Sequence, residues 1–144
     1  MSSVAIRHIG LCVADIDASS RFYREGLGFE PLMEISEIGA PFDALIEQPG
    51  ATLRVQQLRC GDVTIELLGF KDVAVTGAGE RGAMNARGFT HLTLVVYDVD
   101  AVAARIVDHG GNVHPETRVD SDFGPLVFCT DPDGVRIELM QGRS

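Results

Sequence analysis

A chain of 144 residues has room for one domain, or for two small halves that share a core, but not for several independent domains. Its net charge of −9 argues against nucleic acid and anionic membrane surfaces as partners, while leaving room for an anionic small molecule beside a bound cation. The three cysteines, Cys12, Cys60 and Cys129, include no close pair, so reduced thiols in a cytoplasmic protein are expected rather than a disulfide framework or a thiolate zinc site.

The N-terminal residues lack the long apolar core of a secretory signal, and the apolar stretch 92–96 is too short to span a bilayer. A first strand is predicted over about 4–13, ending in an acidic turn where Asp17 is placed to accept hydrogen bonds from free N–H groups at a helix start. Phe22, Tyr23 and Leu27 supply that helix's buried stripe, and Gly28 sits where a left-handed terminating residue belongs. Strands follow near 29–36, 52–60 and 63–70, the last two joined by the hairpin turn Gly61–Asp62. Residues 71–88 contain Gly77, Gly79 and Gly82 and read as a linker.

The same order then recurs. A strand near 89–97 leads to a helix started by Asp100 and carrying Val102, Ile106 and Val107, closed by Gly110 and Gly111. Strands near 112–119, 125–130 and 135–141 follow, with the turn Asp131-Pro132-Asp133-Gly134 before the last. The repetition is visible residue by residue. At an offset of 83, His8 falls on His91, Leu11 on Leu94, Val13 on Val96, Asp15 on Asp98, Asp17 on Asp100 and Gly28 on Gly111. At an offset of 72, residues 62–67 fall on 134–139, so Glu66 meets Glu138. The two offsets differ by eleven, which places about eleven extra residues in the first copy, within 37–50. Two blocks in matching order predict an internal duplication: an α+β fold of two βαβββ repeats, with module one about 4–70, the linker about 71–88 and module two about 89–141, within a single domain.

Strand side chains alternate faces. Ile9, Leu11 and Val13 share the face expected to pack on the helix, leaving His8, Gly10 and Cys12 on the other; Leu92, Leu94 and Val96 separate from His91 and Thr93 in the same way. In the closing strands Ile65 and Leu67 separate from Glu66, and Ile137 and Leu139 from Glu138. Each repeat therefore sets one histidine and one glutamate on the face its own helix leaves open. A curved mixed sheet with helices outside would gather His8, Glu66, His91 and Glu138 around one cleft. That nitrogen and oxygen set suits one divalent ion of the Mn, Fe, Co, Ni or Zn series, with two positions left for water or a chelating substrate.

The chain resembles the vicinal oxygen chelate superfamily, which includes glyoxalase I, methylmalonyl-CoA epimerase, extradiol dioxygenases and fosfomycin or bleomycin resistance proteins. The resemblance covers residues 5–141 and rests on the two H-[IL]-x-L-x-V-x-D-[IV]-D openings and on the D-P-D-G-x-x-[IV]-E-L ending at residues 131–139. It implies that His8, Glu66, His91 and Glu138 are the metal ligands, a complete set similar to that of glyoxalase I and its epimerase relatives. The implied reaction is removal of a proton beside a carbonyl, an enediolate being stabilised as charge develops on oxygen, with Glu138 or Glu66 shuttling the proton. A homodimer and a small-molecule substrate are implied as well. The alternatives are a ring-cleaving dioxygenase, whose iron uses two histidines and one glutamate, and a binding or resistance protein without turnover. Residues 37–52 depart from the named members; Phe42 and Leu45 are read as lid or packing residues. Arg7, Arg54 and Arg59 are surface charges with a lesser claim on a substrate anion, and His109 and His114 are expected to face solvent. Cys12, Thr93 and Phe123 are candidate lining residues of the cleft.

Overall fold

The computed structural model describes residues 3–142. It contains eight strands in two four-stranded mixed sheets of the same topology, β1-β4-β3-β2 and β5-β8-β7-β6. The chain divides into two compact units, one running to Arg24 and over Gly28–Gly77, the other comprising Glu25–Leu27 and the residues from Ala78 onward. No helix among the described residues is long and apolar enough to cross a membrane.

In the first unit β1 (Ile9–Cys12) pairs parallel with β4 (Val63–Phe70), while β3 (Leu53–Cys60) lies antiparallel to both β4 and β2 (Glu30–Ile38). The first strand is shorter than the predicted 4–13, because its ladder with β4 begins only at Ile9 opposite Ile65. Helix α1 (Ile16–Arg21) continues through a wide π turn at Phe22–Gly26 and packs on β3 and β4. Such a turn holds an extra residue. Phe22 and Tyr23 are both fully buried, edge to face at 5.1 Å, and Tyr23 meets Phe29 at 5.3 Å. With Ile65 and Leu67 from β4 these rings build the unit's core. A short helical turn, α2 (Phe42–Leu45), occupies the insertion.

The second unit repeats the plan with β5 (Leu92–Val96), α3 (Val99–Asp108), β6 (Asn112–Ser121), β7 (Gly124–Thr130) and β8 (Arg136–Gln141). Helix α3 packs on β6, β7 and β8 through Val99, Val102, Ala103 and Ile106, the i, i+3, i+4, i+7 stripe of an amphipathic helix. Val107, expected in that stripe, falls one step beyond it and is 53% exposed. The helix starts differ from expectation too. Asp15 and Asp98, not Asp17 and Asp100, are the capping residues: Asp15 accepts from the N–H groups of Asp17 and Ala18, and Asp98 from that of Ala101. Each helix begins one residue after its cap, so Asp17 and Asp100 lie in the first turn, where their carboxylates pair with Arg54 and Arg118, each at 2.7 Å.

Candidate metal centre

In each unit the residue just before the first strand is a histidine, and the closing strand brings a glutamate beside it. His8 precedes β1, and the register of β1 with β4 sets Gly10 opposite Glu66. The His8 Nε2 stands 3.4 Å from Glu66 Oε1, both side chains being partly buried. In the second unit Thr93 lies opposite Glu138, and His91 Nε2 stands 3.1 Å from Glu138 Oε2. Glu66 and Glu138 each sit between fully buried residues of the helix-facing row: Ile65 and Leu67, Ile137 and Leu139. Alternation along the strand thus places them on the opposite face.

The two pairs are held in different ways. The Gln57 amide, directly across from Glu66 in the β3–β4 hairpin, donates to Glu66 Oε2 at 2.6 Å. Its repeat counterpart across from Glu138 is Phe128, whose ring lies 5.5 Å from that of His91. Among the described residues Glu138 is held on its strand side by the Thr93 hydroxyl alone, at 3.3 Å. Conversely, the His91 Nδ1 is hydrogen-bonded to the Thr90 hydroxyl at 2.8 Å. So one pair has an anchored carboxylate and the other an anchored imidazole.

Adjacent donors on an octahedral ion, each about 2.1 Å from it, stand about 3.0 Å apart. The separations of 3.4 and 3.1 Å are close to such an edge, and the donor atoms, imidazole nitrogen and carboxylate oxygen, suit a borderline divalent metal. Each pair therefore has the donor types and spacing of two adjacent ligands. Among the described residues no three or more His, Cys, Asp or Glu side chains are gathered as a metal-holding group.

The remaining residues singled out in the sequence take other roles. Arg54 is committed to Asp17 and Glu34, and Arg59 to Glu30; Arg54 in turn holds the Glu34 carboxyl below its ordinary value. Arg7 is exposed. His109 is half-buried and bonds through Nδ1 to the Arg105 carbonyl. His114, also expected to face solvent, is half-buried against the Thr130 hydroxyl at 3.1 Å, and burial, followed by the charge of Arg81, lowers its pKa. Phe42 and Leu45 are exposed on α2, and Phe123 is 91% exposed at the β6–β7 turn. All three cysteines are free; Cys12 is exposed, and burial pushes the Cys129 thiol up to about 11, a value that keeps it protonated and unreactive.

Gln57, Thr90, Phe128 and Arg136 are the neighbours that sequence reading missed. Gln57 was within reach, since the two-residue turn Gly61–Asp62 sets it opposite Glu66. Alternation along the last strand also sets Arg136 on the face of Glu138, but nothing local signals its contacts or those of Thr90 and Phe128.

Residues 5–139 match the model of the Glyoxalase/Bleomycin resistance protein/Dioxygenase superfamily, a span that includes both pairs. The chain belongs to this superfamily. Within it, the chain is 26% identical to a probable lactoylglutathione lyase of Vibrio parahaemolyticus, the alignment covering 99% of this chain and 94% of the relative. It is 31% identical to a 2-epi-5-epi-valiolone epimerase of an Actinomyces species over 96% of this chain and 79% of that one. A glyoxalase family protein from Bacillus cereus shares the superfamily fold at a TM-score of 0.81 and 17% identity, with 98% and 97% of the two chains covered.

Proposed function

We propose that this protein is a metal-dependent enzyme of the glyoxalase I or epimerase type, removing a proton next to a carbonyl, with His8, Glu66, His91 and Glu138 sharing one divalent ion. The observation that carries this reading is the recurrence, in both repeats, of a histidine Nε2 within 3.4 Å or less of a glutamate carboxylate on the helix-free face. The relatives named as a lyase and an epimerase support it, since both names describe reactions of small oxygenated molecules. The reading requires the two pairs to meet at one ion, within one chain or across a homodimer.

A bound divalent ion would supply Lewis-acid stabilisation of negative charge on the substrate oxygen. The chain's own groups do the rest. Glu66, fixed by the Gln57 amide, acts as a stationary ligand. Glu138, whose strand-side hydrogen bond among the described residues is the longer Thr93 contact, is the carboxylate with freedom to swing and carry a proton. Return of that proton to the neighbouring carbon gives isomerisation, whereas epimerisation needs a proton delivered to the opposite face of the same carbon by a second acid, Glu66 or water.

The test is proton exchange in heavy water, with the metal-reconstituted protein offered a glutathione–2-oxoaldehyde adduct and 2-epi-5-epi-valiolone. Deuterium uptake at the carbon beside the carbonyl is expected, and Glu138→Gln should lower it by about a hundredfold to ten-thousandfold. Oxygen consumption with ferrous iron and a catechol, without any exchange, would replace this reading with ring cleavage.

A further inference from the structure

The His91–Glu138 pair is backed by a group that has no counterpart in the first repeat. Arg136 lies two residues before Glu138 on the same face of β8 and is only 8% exposed. Among the described residues no carboxylate forms a salt bridge with it. Instead, Nη1 donates to the Thr90 carbonyl at 3.2 Å, Nη2 donates to the Gly82 carbonyl, and the guanidinium lies over the Phe128 ring at 5.4 Å. Burying a guanidinium without a counter-ion is costly. What the planar fork accomplishes here is to bridge two backbone carbonyls and an aromatic face at once, which a point-like ammonium would not do.

The clamp sits where the backbone needs one. The ladder of β5 with β8 begins at Leu92 opposite Ile137, so Thr90 and His91 lie just outside it, at the end of a long stretch without helix or strand. The sheet therefore leaves the Thr90 carbonyl to other donors, and Arg136 supplies one. The Thr90 hydroxyl then holds His91 Nδ1, while Phe128, lying against both Arg136 and His91, limits ring rotation. We propose that Arg136 is a positioning residue: by clamping Thr90 it fixes the His91 ring with Nε2 directed at Glu138. A hydroxyl can both donate and accept. Thr90 can thus hold Nδ1 in either tautomer, including the one in which Nε2 is free to bind a metal. The inference rests on reading His91 as a ligand, but the positioning itself can be measured without metal.

The experiment compares histidine ring nitrogen signals by NMR in the metal-free full chain carrying Thr90→Val, Arg136→Met, Arg136→Lys, or Thr90→Val with Arg136→Met. Each single variant should move the His91 signals and leave those of His8 in place, and the double variant should add nothing to Thr90→Val. Zn(II) affinity should fall by about tenfold to a hundredfold in each. Arg136→Lys guards against a misfolded Arg136→Met. His91 signals that stay put in the Arg136 variants but move in Thr90→Val would overturn the clamp, as would equal shifts at His8 and His91. Ring signals that move with unchanged Zn(II) affinity would overturn its link to the metal. Absence of Zn(II) binding in the unaltered chain, with the ring shifts present, would instead count against the proposed function and leave the clamp standing.

Discussion

Gln57 is the residue on which the firmness of Glu66 depends. Its Nε2 is committed to the carboxylate, and its Oε1 is buried without a partner among the described residues. Replacing Gln57 with Leu would free Glu66 to rotate and should weaken divalent-metal binding by about tenfold to a hundredfold, measurable by calorimetric titration. A change of less than twofold would show that the amide contributes nothing to the site. His114 carries a different kind of consequence. Burial, reinforced by Arg81 and Arg136 and opposed by Glu116, lowers its pKa from the ordinary 6.5. Between that lowered value and 6.5 the unfolded chain binds more protons than the folded one, so stability is present above pH 6.5 and is lost as pH falls below it. Chemical denaturation of wild type and His114→Gln at pH 7.5 and 5.5 should show the larger acid loss in the wild type.

At the scale of elements, the turn entering β8 is tightly constrained. Gly134 has φ of 83°, and a Cβ there would lie 2.6 Å from backbone atoms of Gly79 and Glu80. Gly28, with φ of 77°, has no atom beyond its chain neighbours within 4 Å of the place a Cβ would take. Gly28→Ala should therefore cost only the left-handed strain of about 1–2 kcal/mol. Gly134→Ala adds a backbone clash and should cost distinctly more, read as a larger fall in Tm. The Asp131 carboxylate braces the same turn, accepting from the N–H groups of Asp133 and Val135 at 2.9 and 2.8 Å. This turn is what the D-P-D-G pattern encodes, and through it the start of the strand that carries Arg136 and Glu138.

For the whole molecule, the decisive quantity is the number of ions bound. If both pairs share one ion, the chain binds one equivalent, and either His8→Ala or His91→Ala removes tight binding. If each pair binds alone, two equivalents are expected, and either variant leaves one. Metal analysis after gel filtration separates the outcomes. Saturating metal should also raise the unfolding free energy, by about 2.7 kcal/mol at a free concentration a hundredfold above Kd.

The duplication, the succession of strands and helix within each repeat and the placement of one histidine and one glutamate per repeat away from the helix-facing row were readable from the residues in sequence, whereas the order of strands within each sheet was not. The reason is that side-chain direction within a strand is a local property: Ile65 and Leu67 buried means Glu66 turned the other way, whatever else the chain does. Helix starts were readable to within two residues, and the capping role fell to Asp15 and Asp98 because only the backbone path tells which of two nearby aspartates meets the free N–H groups. Apart from Gln57, which the Gly61–Asp62 turn sets opposite Glu66, the contacts around the site were decided by tertiary structure. Arg136 reaches a carbonyl 54 residues away at Gly82, and Phe128 meets His91 only because β5 is laid alongside β8. Such contacts depend on how distant segments close on one another, and no periodicity or motif records that closure.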